Sequence, residues 1–523
     1  MSGGCAEPEG IVVAYEQHPT IMALDIGTSS TRAVLFNEDG KVLDYEQEPL
    51  AIKTLPDGTA EQDAVEIWTK SRNVLEKVAR RAQRYGYRPV AMGIASQRST
   101  TIIWDKASGK PVFPAISWQD TRWIPGAIEF GDSGDWYQSV PKDTGLSFGA
   151  AGVPFHLKYV FDVDPALRAR AKAGELLVGS PEAWVLWNLT GGPNGGTFST
   201  SMSSGSSAVP VTLDGAGYYQ PLLDAMDLPV ELFPTLANDD ADFGTTTNNA
   251  IGMEIPIRSV IGDQQAALFG SGAFEPGMAK TTHGTGSFVS VNVGSEPVQA
   301  DKLDMRFGWR TDAGTTYMVE TTANVTGSGV DWLVDGLGVL DKPELIDSTY
   351  AHGDPESGVV VVPALAGFGA PYWDADARGM IIGLNRSTTK SDVVRGFVDG
   401  IAHTVADMLN TIGEKTGVRP TSVAVDGGLS RSDALLQSQA DLTDVPVTQP
   451  SDSEYATARG AAWLAGIATG VWASPEDARK TLESGRRYEP QITTELRDVR
   501  RAQWHDAVNR SLGFKRAEFP KES

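Results

Sequence analysis

IMALDIGTSSTRAVLFN, residues 21–37, is the stretch of sequence that decides the fold. Two apolar runs flank a short turn of glycine, threonine and serine, and this pattern is typical of two neighbouring β-strands. Asp25 lies at the end of the first run, just before the turn at residues 27–30. Because backbone N–H groups in such a turn can converge on phosphate oxygens, the stretch predicts a phosphate-binding strand–turn–strand unit. Taken alone, the same residues also fit an ordinary hairpin with a polar turn.

Two further glycine turns follow apolar strands in the second half of the chain. One is the Gly-Thr-Gly turn at residues 284–286, and the other is the Asp-Gly-Gly turn at residues 426–428, before a helix predicted to begin near Ser432. Glycine allows a ligand to approach where a Cβ would block it. Three such turns, each beside an apolar strand, predict a duplicated fold that closes on a phosphate-bearing ligand. GxxxxGK[ST] and GxGxxG are absent from the sequence, so P-loop and Rossmann folds have no support.

The length of the chain, 523 residues, predicts more than one domain, because single cores stop growing at ~250–300 residues. Strand and helix patterns alternate, for example a helix over residues 61–81, and this makes α/β the predicted fold class. We expect two large domains, residues 21–257 and 258–523, with a hinge around residues 255–260. Residues 1–20 are predicted to be a disordered N-terminal extension.

The composition disfavours several functional classes. There are 44 Lys and Arg against 67 Asp and Glu, and the net charge of −23 disfavours binding to nucleic acid or to an anionic membrane surface. Cys5 is the one cysteine, and the six histidines show no HxxxH or HxH pairing, which argues against disulfides and against thiolate or histidine metal sites. No signal peptide is recognisable, and the apolar window at residues 456–473 is too short to span a bilayer and predicts a buried helix. A cytoplasmic enzyme is therefore expected.

Seven motifs of the chain resemble, in the same order, those of the FGGY family of carbohydrate kinases, and most closely those of the glycerol kinases. They cover most of the chain, and their combination is highly specific. They are DIGTSSTRAVLF (25–36), ASQRSTTIIWDKASGKPVFPAISWQDTR (95–122), WNLTGGPNGG (187–196), GDQQAALFG (262–270), THGTGSF (282–288), APYWDADARGMIIGL (370–384) and DGGLSRSDALLQSQADL (426–442).

The resemblance implies a fold and an activity. The fold would be two duplicated ribonuclease-H-like domains, as in actin and hexokinase, with ATP in the cleft between them. The activity would be ATP- and Mg²⁺-dependent phosphorylation of a terminal hydroxyl of a small polyol or sugar: glycerol, a tetritol or a small ketose. A homo-oligomer, dimer or tetramer, is expected. The alternatives are a non-catalytic nucleotide-binding regulatory or assembly relative, and an actin-like filament or chaperone protein.

The resemblance also assigns roles to individual residues. Asp263 of GDQQ matches the catalytic base, which takes the proton of the substrate hydroxyl as its oxygen attacks the γ-phosphorus. Asp25 matches a magnesium-associated aspartate, and Asp263 is expected beside the same ion. On the residues alone, Asp263 also fits a helix N-cap, a compatible role in which helix-start amides would favour its ionised form. The other implied substrate contacts are Arg98, Ser99, Trp118, Ala151, Gln264 and Phe288, and the implied nucleotide contacts are Thr28, Ser29, Ser30, Arg32, Thr285, Gly286, Gly327, Gly428 and Ser432.

The substrate side departs from the glycerol kinase pattern at two positions. Where glycerol kinases read NQRET this chain reads SQRST, so Ser99 replaces a glutamate, and the family's substrate tyrosine falls on Ala151 in an ungapped alignment. Two large groups become small, which predicts a roomier pocket and a substrate longer than glycerol. The alternative is that neighbouring loops refill the space and glycerol is the substrate. Ser432 replaces an asparagine near the adenine, so base selectivity stays open.

Overall fold

The computed structural model describes residues 19–514. Residues 1–18, most of the predicted N-terminal extension, lie outside the described part, and so does Cys5. The strands of the first sheet are β1 (Pro19–Ile26), β2 (Ser30–Asn37), β3 (Val42–Pro49), β4 (Arg88–Ser96) and β5 (Ile257–Gly262). Their order is β5–β4–β1–β2–β3. The β1–β2 hairpin confirms the reading of residues 21–37 and places Asp25 opposite Arg32.

The second sheet repeats the first. Its strands are β6 (Met278–His283), β7 (Ser287–Gly294), β8 (Asp304–Thr311), β9 (Gly314–Ala323), β10 (Ser422–Asp426), β11 (Val447–Gln449) and β12 (Arg486–Tyr488). They are ordered β8–β9–β7–β6–β10–β11–β12. Without the outer strands β8 and β12, the order and the strand directions are those of the first sheet: two antiparallel pairs on one side of β6 and two parallel pairs on the other. The predicted duplicated α/β fold is confirmed.

Helices cover the sheets and join them. Among them are α1 (Ala64–Tyr85), α2 (Pro181–Leu189), α3 (Asp263–Gly270), α4 (Lys390–Thr416), α5 (Asp433–Thr443), α6 (Ala456–Ala468) and α7 (Thr494–Ser511). Helix α1 begins three residues after the predicted start, because the Asp63 carboxylate accepts from the N–H groups of Val65 and Glu66 and caps it there. Its apolar side, which includes Val74 and Val78, packs into the core below the first sheet.

Further strands and helices lie around these elements. The remaining strands are Lys53–Thr54, Ala60–Gln62, Ile102–Asp105, Ala115–Ile116, Leu176–Gly179, Ser199–Ser201, Thr235–Ala237, Val360–Val362 and Met380–Ile382. The remaining α-helices are Ile124–Asp132, Trp136–Thr144, Val153–Val163, Pro165–Lys172, Met202–Ala208, Gln220–Ala225, Asn248–Ile251, Gly327–Asp331, Ile346–His352 and Pro475–Arg479. In residues 19–514, none of the helices combines the length and the apolar character that crossing a membrane requires.

The predicted boundary at residues 257/258 needs correction. Strand β5 begins at Ile257 and pairs with β4, so this boundary would detach the outer strand of the first sheet. The chain passes from the first sheet to the second between Gly270, the end of α3, and Met278, the start of β6. Residues 255–260 form part of the packed core and cannot serve as a free hinge, since Ile255, Ile257 and Val260 are buried.

Helices α3 and α6 cross where the two halves meet. Each follows the equivalent strand of its own sheet, β5 or β11. The crossing is close because glycines lie at the contact: a Cβ on Gly460 would be 1.9 Å from the carbonyl oxygen of Ala266, and one on Gly270 would be 2.1 Å from that of Ala456. The predicted buried helix near residues 456–473 is this α6, and its main-chain contact with the other half explains why its sequence is rich in small residues.

Candidate active site

Two cavities meet at the start of helix α3. The larger has a volume of about 840 Å³ and lies over the glycine turns of both sheets. The smaller, about 400 Å³, is lined from one half by Arg98 and Trp118 and from the other by Phe288. Asp263 and Gln264 line both cavities. The structure therefore brings the predicted base to the wall that the two cavities share.

Asp263 is held by one neighbour on its own helix and one across the cavity. Its Oδ1 accepts from the N–H of Gln264 at 2.7 Å and lies 3.3 Å from the Nε of Arg98. The helix begins at Asp263 itself and the N-cap is Gly262, so the N-cap alternative is wrong by one position. Burial raises the pKa of Asp263, while Arg98 and the Gln264 amide act in the opposite direction. The expected preference for the ionised form is thus outweighed by desolvation, and a raised pKa suits a residue that accepts a proton.

The predicted apolar wall is present in the smaller cavity. The rings of Trp118 and Phe288 meet edge to face with centroids 6.5 Å apart. Ser99 also lines this cavity, has a φ of 60°, and donates from its hydroxyl to the carbonyl oxygen of Ser207 at 2.6 Å. Ala151 is buried, and the cavity is lined by Ala150 and Gly152 on either side of it. The two neighbours of Ala151, and not Ala151 itself, therefore lie at the wall where the substrate contact was predicted.

Charged residues of the second half line the smaller cavity, and the sequence reasoning missed them. The Nη2 of Arg98 donates to both carboxylate oxygens of Glu320, at 2.8 and 3.0 Å. Arg306 lies 3.6 Å from Glu320 and pairs with Asp304 at 3.2 Å. The available signal was charge at alternate positions in a strand, since Asp304 and Arg306 are two residues apart in β8 and share one face.

His156 is a further missed residue of this cavity. Its Nδ1 forms a hydrogen bond of 2.7 Å with the hydroxyl of Thr101, and its ring meets Trp123 edge to face. Burial lowers the pKa of His156 to about 3, so the imidazole is neutral at physiological pH. A neutral, hydrogen-bonded histidine shapes the wall without adding charge.

The larger cavity is lined by the glycine turn at residues 426–428. Gly427 has a φ of 89°, and a Cβ there would lie 2.5 Å from the carbonyl oxygen of His283, so only glycine fits. A Cβ on Gly428 would meet no atom of the described chain within 4 Å. Main-chain atoms are therefore exposed to the cavity, as a phosphate site requires.

Lys280 is one of three cations of the larger cavity that the sequence reasoning missed, the others being Arg431 and Arg486. The residue is fully buried in β6, and its Nζ donates to the Oε1 of Gln264 at 2.8 Å. It thereby links the second sheet to the helix that begins at Asp263. A lysine inside an apolar strand was the sequence signal for it.

The first phosphate turn differs from the prediction. Asp25 and Gly27 line the larger cavity, whereas Thr28 lines the smaller one and accepts from the Nε1 of Trp118 at 2.9 Å. Ser29 is exposed. Ser30 and Arg32 both bond to the Gln47 side chain, at 2.8 and 3.1 Å. These four residues are near the cavities, but the structure does not gather them on a nucleotide surface.

The second phosphate turn and Gly327 are brought together. The N–H of Gly327 donates to the carbonyl oxygen of Gly284 at 2.9 Å, and that of Thr326 to the oxygen of Thr285 at the same distance. A Cβ on Gly286 would lie 2.3 Å from the oxygen of Ala323, so this turn also needs glycine. Neither Thr285 nor Gly286 is among the residues that line the larger cavity.

Ser432 does not act as the predicted base contact in this geometry. It is the N-cap of α5, where its hydroxyl oxygen accepts from the N–H of Leu435 at 3.1 Å. The same hydroxyl donates to the carboxylate of Asp347, and the side chain is buried. Its hydrogen-bonding capacity is used within the fold.

The residues of the larger cavity fit a nucleotide-bound Mg²⁺ better than a resident metal. Among residues 19–514 there is no group of three or more His, Cys, Asp or Glu side chains that could hold an ion. Asp25 and Asp263 both line the cavity, and burial raises the pKa of Asp25 to about 7, with Asp263 adding to the shift and Arg32 opposing it. Mg²⁺ is usually bound through one or two carboxylates together with substrate phosphates and water. Two carboxylates that line the same cavity satisfy that requirement.

The chain matches known proteins over nearly its full length. Residues 20–270 match the N-terminal domain of the FGGY family of carbohydrate kinases, and residues 279–469 match its C-terminal domain. A protein named glycerol kinase from Halorhodospira halophila is 38% identical over 507 residues, which cover 96% of this chain and 98% of the relative. Another, from Lactococcus lactis, is 36% identical over 500 residues, covering 95% and 99% of the two chains.

Solved structures agree with this assignment. The structure of Plasmodium falciparum glycerol kinase with ADP is similar with a TM-score of 0.89 and 26% identity, covering 95% of this chain and 98% of that one. Xylulose kinase from Lactobacillus acidophilus shares the fold, with a TM-score of 0.82 at 18% identity over 94% and 97% of the two chains. With two family domains matched in order and relatives above one-third identity, this chain belongs to the FGGY family of carbohydrate kinases, enzymes that phosphorylate an alcohol group.

Proposed function

We propose that the protein transfers the γ-phosphoryl group of ATP to a terminal hydroxyl of glycerol or of a longer small polyol or sugar. The observation that carries the proposal is the position of Asp263 on the wall between a cavity lined by glycine turns and a smaller cavity with aromatic and charged walls. A base in that position reaches an acceptor hydroxyl on one side and a phosphoryl group on the other. The names of the two relatives support glycerol as one acceptor.

The residues around Asp263 divide the work of transfer. Asp263 takes the proton of the hydroxyl, and Arg98, 3.3 Å away, compensates the negative charge of the ionised carboxylate. Lys280 and Gln264, joined by a 2.8 Å hydrogen bond, face the larger cavity, where they hold the phosphoryl group that moves. Main-chain atoms at Gly427 and Gly428 line the part of the cavity where phosphates bind.

Mg²⁺ would be held by Asp25, with Asp263 close by, and by the nucleotide itself. When bound, the ion neutralises charge on the phosphate oxygens. Asp25 contributes a half-buried carboxylate near the end of β1, next to the first glycine turn. The cytoplasmic location and the homo-oligomeric state expected from the sequence stay predictions. Light scattering on the purified protein would measure the oligomeric state.

The experiment is an ADP-release assay with a panel of glycerol, erythritol, threitol, xylitol and xylulose. Asp263→Asn keeps the shape of the side chain and removes the base, so turnover should fall by about 10²–10⁴-fold with little change in ATP affinity. Asp162→Asn is the matched control, because Asp162 is half-exposed, pairs with Lys158 and lines neither cavity. Turnover of Asp263→Asn within a few-fold of wild type would exclude Asp263 as the base. ATP binding without phosphorylation of any acceptor would favour the non-catalytic alternative.

A further inference from the structure

One end of the smaller cavity is not used by the proposed transfer. Asp263 and Arg98 account for the reacting hydroxyl, but the row of charges continues through Glu320 to Arg306 and Asp304. We call Asp304 and Arg306 the distal pair. Both lie on β8, in the second half of the chain, and both line the cavity.

The distal pair is fixed in position by the first half of the chain. The Oδ1 of Asp304 accepts from the hydroxyl of Ser147 at 2.6 Å and from its N–H at 2.9 Å. Arg306 donates to the carbonyl oxygen of Ala150 at 3.4 Å. These contacts hold both charged groups at the far wall before any ligand arrives, which lowers the cost of binding one.

Two arginines of the cavity wall each have a buried nitrogen without a hydrogen-bond partner among residues 19–514. Arg306 is only 7% exposed, and its Nε lies 3.6 Å from the Oε1 of Glu320 without a hydrogen-bond partner in the described chain. The Nη1 of Arg98 is likewise buried and unpartnered among residues 19–514. Buried donors without partners are costly and uncommon in folded proteins. They mark Arg98 and Arg306 as two cationic side chains of the cavity wall whose donors are not all used within the described chain.

The charges of the cavity define the kind of ligand. Two arginines, Arg98 and Arg306, face three carboxylates, Asp263, Asp304 and Glu320, so the sum is −1 when all are ionised. A carboxylate or phosphate at the distal end of the substrate would meet this net negative charge, whereas a hydroxyl can donate to Asp304 and accept from Arg306 at once.

We infer that the distal pair selects neutral acyclic polyols or ketoses of four or more carbons, by binding the hydroxyl groups farthest from the reacting one. The inference rests on the proposed function and names the substrate class of the same site. Glycerol would bind to Asp263 and Arg98 but would be too short to reach the distal pair, which would stay hydrated. A hydrogen bond to a charged group changes affinity by roughly 10- to 100-fold, so the preference should be of that order.

The test is calorimetric binding of glycerol, erythritol, xylitol and gluconate to the full-length protein, without nucleotide. The variants are Asp304→Asn and the double variant Asp304→Asn with Arg306→Gln, which removes one charge of each sign. Arg310→Gln is the matched control, because Arg310 is on the same strand but bonds to the carbonyl oxygen of Gly215, outside the cavity. Thermal melting of each variant reports folding, and Asp304→Asn serves if the double variant does not fold.

The expected result is that wild type binds erythritol or xylitol more tightly than glycerol. Each distal variant should weaken the longer polyol at least tenfold more than it weakens glycerol, while Arg310→Gln changes neither. The inference would be overturned if the distal variants lost affinity equally for glycerol and the longer polyol, or lost none. It would also be overturned if wild type bound glycerol more tightly than the longer polyols, or gluconate more tightly than xylitol. Selective binding without ADP release would instead refute the proposed function and leave the binding selectivity standing.

Discussion

Replacing Gly460 by alanine tests how the crossing of α3 and α6 supports the active site. The added Cβ would lie 1.9 Å from the carbonyl oxygen of Ala266, whereas an ordinary contact needs at least 3.4 Å. The neighbouring atom belongs to the backbone, so no side chain can rotate away. The two helices must therefore separate by about 1.5 Å or tilt by an equivalent amount.

Two energy terms set the effect of Gly460→Ala on stability. Overpacking of this kind costs about 1–3 kcal/mol, and sometimes more. Alanine gains back about 1 kcal/mol over glycine in a helix. We expect a net loss of about 0–2 kcal/mol in the free energy of unfolding, measured by denaturant titration.

The effect of Gly460→Ala on catalysis should be larger than its effect on folding. Ala266 is one turn from Asp263, the first residue of α3, so a shift of the helix displaces the base. A misplacement of ~1 Å can cost ~100-fold in rate, and we expect kcat to fall roughly 10- to 100-fold in a folded enzyme. Gly413→Ala is the control: it adds the same methyl group in α4, where the nearest atom is at 3.5 Å, and should leave kcat unchanged and stability slightly raised. If Gly460→Ala kept the stability and kcat of wild type, the helix crossing would not position the base.

Three further predictions concern charge and closure. Lys280→Met should lower kcat by about 10²–10³-fold in steady-state assays, because it removes the buried cation beside Gln264; an unchanged kcat would remove Lys280 from the site. Burial raises the pKa of Glu182 from 4.5, the ordinary value that holds in the unfolded chain, to about 7 in the folded protein. Between these two pH values the folded protein keeps a proton that the unfolded chain releases, so the free energy of unfolding falls as pH rises. Glu182→Gln should therefore stabilise the protein by about 3 kcal/mol at pH 8 and by little at pH 4, as shown by denaturant titration at both pH values; equal effects would refute this. Small-angle scattering should show a smaller radius of gyration with ATP and a polyol than with neither, and an unchanged radius would count against cleft closure.

The elements predicted correctly from the sequence are those determined by local pattern. The hairpin of residues 21–37 alternates apolar strand and polar turn within seventeen residues, and β1 and β2 form as predicted. The helix after Ser432 begins where a capping side chain precedes it. Such signals need only neighbouring residues, so no knowledge of the rest of the fold is required.

The errors come from contacts between distant parts of the chain. The boundary at residue 258 failed because the pairing of β5 with β4 joins segments more than 150 residues apart, which no local pattern reports. Thr28 belongs to a turn that was expected to face the nucleotide, but its hydroxyl bonds to Trp118 and lines the other cavity. Which side of a turn faces which cavity depends on the twist of the sheet and on the partner half.

The charged residues of the smaller cavity are another contact between distant parts of the chain that local sequence patterns do not predict. Arg98 and Glu320 are 222 residues apart in sequence and come from different halves of the chain, yet Arg98 donates to both carboxylate oxygens of Glu320 beside the base. The motif that contains Arg98 predicted a substrate contact, but no pattern around Glu320 predicted that Glu320 would pair with Arg98. Only charge at alternate positions of β8 indicated that a strand faced something other than the core.

The position of Asp263 links the chemistry to movement of the two halves. It follows β5 of the first sheet and shares a cavity wall with Arg98, two residues after the end of β4, so the base and that part of the substrate site move together. Lys280 and the turn at Gly427 belong to the second sheet and line the nucleotide side. A rotation about the α3–α6 crossing would therefore bring the phosphoryl group toward a base and acceptor that are already aligned. Transfer would then be confined to the closed state, in which water is excluded from the phosphoryl group.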